Sequence, residues 1–192
     1  MSERTEIRVS GFGGQGVIFL AYVTGKAAAI HEGRHATFNQ AFGPEARGSA
    51  CSAQLILSGD PVDYPYIRRP RILVCMSQEA YTKFRDELEP GGMLLIDEDL
   101  VALRAGDDAR VFPIPATRIA ETLGRRIAAN MVMAGFLSAV TGAVGREAVR
   151  AAIQESVPPG SEEINLAAFD RGYARGEEAL GKEPSGSAAA GR

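Results

Sequence analysis

Cysteine is scarce in this chain. It has two, Cys51 and Cys75, in 192 residues. An iron–sulfur cluster normally takes four thiolates, so the chain cannot hold one alone. The two histidines, His31 and His35, have no thiol near them in sequence, which argues against a Cys/His zinc site. Both cysteines are expected to be reduced and buried, the usual fate of free thiols. An excess of positive charge is also missing. With a net charge of -3 no basic field favours nucleic acid. No apolar run reaches about 18 residues, so no membrane span is expected. The polar opening, Met1 to Glu6, has no signal-peptide pattern, and the expected compartment is cytoplasmic. Several catalytic signatures are absent too. There is no G-x-S-x-G elbow, no phosphate-loop lysine at the required spacing, and neither histidine sits in a readable triad.

What remains reads as one globular domain. Hydrophobic residues make up 45% and charged residues 23%, and the length suffices for a real core. Short apolar runs alternate with helical stretches. Ile7–Ser10 reads as a strand, and about Val17 to His31 as a helix. Ala36–Phe38 is extended, Asn39–Ser49 is a long Gly/Pro-rich loop, and Cys51–Leu57 alternates as a strand. Arg71–Met76 and Met93–Asp97 are nearly continuous apolar runs, the pattern of strands buried on both faces of a parallel sheet. Ser77 is placed to cap a helix carrying Tyr81, Phe84 and Leu88, which Pro90-Gly91-Gly92 stops. Val111–Ile114 contains Pro113 and predicts a short edge strand. Thr117 is placed to cap a long helix to about Thr141. Arg146–Ser156 and Leu166–Leu180 complete the helices. The expectation is an α/β fold: a three-layer, Rossmann-like domain with a mainly parallel central sheet over residues 1–181, and a disordered tail at 182–192.

Three stretches carry candidate chemistry. The first is Gly11-Phe12-Gly13-Gly14-Gln15-Gly16, between the first strand and the first helix. Such a cluster lets the backbone turn tightly and leaves helix N–H groups free to meet an anion. A dinucleotide site adds an acidic residue at the end of the second strand. Here that strand ends in Phe38-Asn39-Gln40, without an acid. A structural turn, a dinucleotide loop and a surface for a partner subunit all remain open on these residues. The second stretch is Gly43-Pro44-Glu45-Ala46-Arg47-Gly48, where Glu45 and Arg47 stand on a glycine- and proline-framed loop. An arginine there can grip a phosphate or carboxylate in bidentate fashion. The third is Asn130, in an apolar helix before Gly135. Its amide either bonds the neighbouring backbone or reaches the glycine loop or a partner. Asp97, Glu98 and Asp99, at a strand end, are expected to be solvated.

These motifs, with the Pro70–Tyr81 strand-to-helix unit and Asn130-Met131-Val132-Met133-Ala134-Gly135, stand in an order that closely resembles the gamma subunit of 2-oxoacid:ferredoxin oxidoreductases. The resemblance covers about Ile7 to Gly176. Ser49 stands where many members carry a further glycine. The resemblance implies an enzyme complex that decarboxylates a 2-oxoacid, transfers the acyl group to coenzyme A and passes electrons to ferredoxin. It implies 2-oxoglutarate as the first substrate to test, with branched-chain, indolepyruvate and arylglyoxylate enzymes as alternatives. Thiamine diphosphate, magnesium and the iron–sulfur clusters would lie in the alpha and beta subunits and a ferredoxin-like delta subunit, none in this chain. The chain would be structural and gating, with no catalytic residue of its own. Gly11, Gly13, Gly14, Gln15, Gly16, Gly43, Pro44, Glu45, Arg47, Gly48 and Asn130 would form a cofactor-facing or interface surface. The rival from another class is a free-standing Rossmann-type nucleotide-binding oxidoreductase.

Overall fold

The computed structural model describes residues 4–41 and 50–181. A six-stranded sheet runs in the order β2-β3-β1-β4-β5-β6, built from β1 (Thr5–Phe12), β2 (His35–Ala41), β3 (Ala50–Ser58), β4 (Ile72–Cys75), β5 (Met93–Asp97) and β6 (Arg110–Ile114). The ladders β1–β4, β4–β5 and β5–β6 are parallel. β3 is antiparallel to both β1 and β2. Five strands therefore share one direction and β3 alone opposes it, so the mainly parallel sheet is as expected and its reversed member is new. All four side chains of β4 are buried. Ile72 and Val74 face one core, and Leu73 and Cys75 face the other. That two-sided burial is why the strand is apolar without alternation.

The helices are unevenly shared. α1 (Val17–Lys26), α3 (Ala116–Thr122), α4 (Ala129–Thr141), α5 (Arg146–Ser156) and α6 (Glu162–Gly181) contribute to the larger core. α2 (Gln78–Phe84) covers the opposite face with Ala80, Tyr81 and Phe84. The Ser77 hydroxyl accepts from the Ala80 N–H, the cap expected of it. α4 and α6 cross at their backbones. A Cβ on Gly135 would lie 2.0 Å from the Phe169 carbonyl oxygen, and one on Gly172 would lie 1.8 Å from that of Val132. The space beside Gly135 is thus taken by α6.

Several sequence expectations are corrected. β1 extends beyond Ile7–Ser10, and β2 runs on through Asn39 to Ala41, because Asn39 and Gln40 pair with Gln54 and Ala53 of β3. The helix from Val17 loses α-helical pitch at Ala27 and ends as a π-helical turn, Ala27–His31. The single helix expected from Thr117 to Thr141 is two, since the chain turns at Gly124 with φ +77°. Thr117 lies inside α3 and does not cap it, Pro115 holding the cap position. Asp97 is fully buried, not solvated. Cys75 is buried as expected, whereas Cys51 is only half-buried. No described helix is long and apolar enough to cross a membrane. The expected tail at 182–192 lies outside the described residues.

Candidate functional site

β1, β2, β4, β5 and β6 all end at the same pole of the sheet. From β1 the chain turns to α1 on the larger helical layer, and from β4 it turns to α2 on the other face. The crevice between those two departures is where open α/β sheets hold ligands. A cavity of about 360 Å³ occupies it. Phe12, Gly14 and Gln15 line it from the end of β1, Met76 from the end of β4, and Thr117, Arg126, Ile127 and Ala129 from α3 and the start of α4.

The glycine loop is braced from within. The Phe12 N–H donates to Gln15 Oε1 at 2.6 Å, and Gln15 Nε2 donates to the Met76 carbonyl at 2.7 Å. Gln15 thus ties the ends of β1 and β4 together, and its amide is spent on that task. Gly11 is buried, and a Cβ there would meet Gln15 Oε1 at 2.5 Å. Gly16 has φ +73°, and a Cβ there would lie 2.2 Å from Asn130 Nδ2. Asn130, buried at the start of α4, donates from Nδ2 to the Gly16 carbonyl at 3.4 Å. Of its two open readings, the reach to the glycine loop is the observed one. Gly11, Gln15, Gly16 and Asn130 are therefore the frame of the loop.

Gly13 and Gly14 are its exposed surface. A Cβ on either would meet nothing within 4 Å. Gly14 sits at φ +93°, which L side chains rarely adopt. Among the described residues, no acceptor takes the N–H groups of Gly13, Gly14 and Gly16 or those of the first turn of α1, Val17 to Phe19. These donors and the positive end of α1 favour an anion at the pole. Arg126, 71% exposed and 3.7 Å from the exposed Glu121 carboxylate, adds a cation at the rim. Phe12 and Ile127 are 40% and 49% exposed and give the rim an apolar surface.

The far wall rests on Asp97. Its Oδ2 accepts from both the N–H and the hydroxyl of Thr117, at 3.0 and 2.6 Å, and its Oδ1 accepts from the Asp99 N–H at 3.2 Å. Burial pushes the Asp97 carboxyl above the usual carboxylate range, against the pull of those hydrogen bonds. Thr117, Met76, Ala129 and the Arg126–Ile127 pair were not foreseen in the sequence. The signal for the last two was the glycine before Arg125-Arg126, which interrupts the apolar helix pattern.

The second motif is placed only by its flanks. β2 ends at Ala41, and β3 begins at Ala50, opposite Phe12. Gly43, Pro44, Glu45, Arg47 and Gly48 lie outside the described residues. The dinucleotide reading loses its geometry. In such sites a parallel strand beside β1 brings an acid to this pole. Here the neighbour on one side, β3, runs the other way and begins at this pole with Ala50 and Cys51, and the parallel neighbour on the other side, β4, ends in Cys75 with Met76 and Ser77 after it. Among the described residues, no group of three or more His, Cys, Asp or Glu could hold a metal ion.

Comparison with known proteins gives a consistent picture. The sequence profile described as pyruvate ferredoxin/flavodoxin oxidoreductase matches residues 6–175. The chain is 46% identical over 173 residues to the 2-oxoglutarate synthase subunit KorC of Methanocaldococcus jannaschii, covering 88% of this chain and 92% of that protein. It is 47% identical to the KorC subunit of Methanothermobacter thermautotrophicus, covering 88% and 93%. The solved gamma subunit of a keto/oxoacid ferredoxin oxidoreductase from Geobacter sulfurreducens superposes with a TM-score of 0.82 at 35% identity, over 91% of this chain and 99% of that one. A 2-oxoglutarate:ferredoxin oxidoreductase chain from Magnetococcus marinus shares the fold, with a TM-score of 0.84 at 22% identity, over 93% of this chain and 32% of that one.

Proposed function

The chain belongs to the pyruvate ferredoxin/flavodoxin oxidoreductase family, and on that basis we propose that it serves as the gamma subunit of a 2-oxoglutarate:ferredoxin oxidoreductase that forms succinyl-CoA. The KorC relatives and the Geobacter gamma subunit support this choice of subunit and substrate. The thiamine diphosphate, magnesium and iron–sulfur centres of the reaction belong to the alpha, beta and ferredoxin-like delta partners, and ferredoxin takes the electrons. The two thiols of this chain are too few for a cluster.

The pole of the sheet is this subunit's working surface. The observation that carries the reading is the set of N–H groups at Gly13, Gly14 and Gly16 that have no acceptor among the described residues, on a loop whose Gly14 lines a cavity with an apolar rim and Arg126. That combination suits a ligand with both a diphosphate and a long uncharged arm, and coenzyme A has that composition. Gly13 and Gly14 supply donors without side chains, so a partner surface can close to backbone distance. Gln15 and Asn130 hold those donors in place. Phe12 and Ile127 exclude water once a catalytic partner is seated. β2 ends and β3 begins at the same pole, and we assign Gly43, Pro44, Glu45, Arg47 and Gly48, which lie between them in sequence, to the same interface.

The test is a reconstituted complex assayed for 2-oxoglutarate- and coenzyme A-dependent ferredoxin reduction. An exposed arginine bonded to a phosphate contributes about 1.5 kcal/mol. Arg126→Ala should therefore raise the KM for coenzyme A about tenfold, leaving the melting temperature and the KM for 2-oxoglutarate unchanged. Gly14→Val should weaken assembly, because valine resists φ +93° and blocks close approach. Wild-type coenzyme A kinetics in the first variant and intact assembly in the second would refute the reading.

A further inference from the structure

The two edges of the sheet are treated differently. β6 is short, five residues, with Pro113 among them. A brief edge strand carrying proline resists further pairing. β2 has none of these protections. It is seven residues long, His-Ala-Thr-Phe-Asn-Gln-Ala, with no proline, lysine, aspartate or glutamate. Its only ionisable side chain is His35, at its start. None of the side chains from His35 to Gln40 is buried, and among the described residues nothing pairs with its outer edge.

The ground on either side of that edge is aromatic. On one face α1 packs over β3 and β2 and leaves Tyr22 45% exposed, stacked on Phe19, with Phe38 half-buried beside the same core. On the other face no described helix covers β2. The segment after β3 crosses it instead, held where Asn39 Nδ2 donates to the Pro65 carbonyl at 2.6 Å. Tyr64 and Tyr66, which flank Pro65, are 51% and 59% exposed and pack edge to face. A long neutral edge between two exposed aromatic faces is a surface for strand addition.

We propose that β2 is an interaction edge, extended in the assembled enzyme by an uncharged, apolar strand segment of a partner subunit. Backbone N–H and C=O groups would supply the ladder. Alternate side chains of the incoming segment would meet Tyr22 and Phe38 on one face and the Tyr64–Tyr66 pair on the other. A partner subunit is chosen over a second copy for a geometric reason. β2 runs directly into the pole, so a body seated on the pole reaches the strand as well. Two copies paired antiparallel through β2 would point their poles in opposite directions and leave both uncovered. The choice of occupant rests on the proposed role of the pole.

Amide hydrogen exchange in the isolated chain and in the reconstituted complex tests both ideas at separate peptides. The β2 amides not bonded to β3 should exchange about tenfold or more slowly in the complex, and β6 should not change. Protection at Gly13–Val17 without protection at β2 overturns the edge and leaves the pole reading intact. Protection at β2 alone does the reverse. Protection of β2 that rises with concentration in the isolated chain makes the occupant a second copy and overturns the assignment. As an independent check, Thr37→Lys places a charge on the edge strand without opening a core. It should keep the melting temperature and weaken binding of the partner subunits about tenfold, and unchanged binding contradicts the proposal.

Discussion

Replacing Gly172 with alanine sets two physical effects against each other with opposite signs. By intrinsic propensity, alanine in place of a helical glycine stabilises by about 1 kcal/mol. At this site the added Cβ would lie 1.8 Å from the Val132 carbonyl oxygen, 2.7 Å from its carbon and 3.0 Å from its Cα. These are backbone atoms of α4, so no side chain can turn away. α6 must shift outward by roughly 1 Å or more to restore contact distance, and the packing around Phe169 goes with it. Overpacking of this kind costs about 3 kcal/mol. The net expectation is a loss of about 2 kcal/mol, or roughly 4–8 °C in Tm for a domain of this size. The assay is thermal unfolding followed by circular dichroism, with Gly181→Ala as the control. A methyl group at Gly181 meets nothing within 4 Å, so that variant should stay within the small propensity effect. A Tm for Gly172→Ala at or above wild type would refute the close crossing of α4 and α6.

Two further outcomes follow from the buried charges and thiols. Asp107 receives a two-pronged bond from the buried guanidinium of Arg85 and a further one from the Tyr81 hydroxyl, and these hold its carboxyl well below the usual range. The native state therefore binds fewer protons here than the unfolded chain. The stabilisation is complete above about pH 4, the unfolded value, and is lost as the pH falls below it. Asp107→Asn should cost about 2 kcal/mol at neutral pH, because it removes the buried carboxylate bonded to Arg85 and leaves that arginine only the exposed carboxylate of Asp108; the gap in Tm should narrow in acid, and a gap independent of pH would count against the pairing. Cys75 is fully buried, and burial pushes its thiol up to about 12. A thiol reagent should therefore modify no more than Cys51 in the native protein and both cysteines in denaturant, and rapid native labelling of both would contradict the packing beneath α2.

Much of the frame was legible because local chemistry decided it. The run Ile72 to Cys75 has nowhere to put a polar side chain, so its burial on both faces was readable. Arg146 and Ser156 bound α5 as expected, and Pro113 marked an edge. The site was less legible. Gly11 to Gly16 announced a loop, but the sequence did not separate the glycines that frame it from those that present it. That division depends on Met76 and Asn130, which arrive from distant elements. The reversed direction of β3 was invisible, since alternation is the same whichever way a strand runs. Asp97 looked like a surface acid because its partner, Thr117, lies twenty residues on, across a turn and a strand. Gly124 was passed over because apolar periodicity continues on both sides of it.

The bond from Asn130 to Gly16 spans 114 residues of sequence. During translation β1, the glycine loop and α1 leave the ribosome first, and the loop stays without its brace until α4 has followed. α6, which closes on α4 through Gly135 and Gly172, comes later still. A partner that recognises the braced pole accordingly ignores chains that have not been translated past α4. The first motif to be made is thus among the last to be finished.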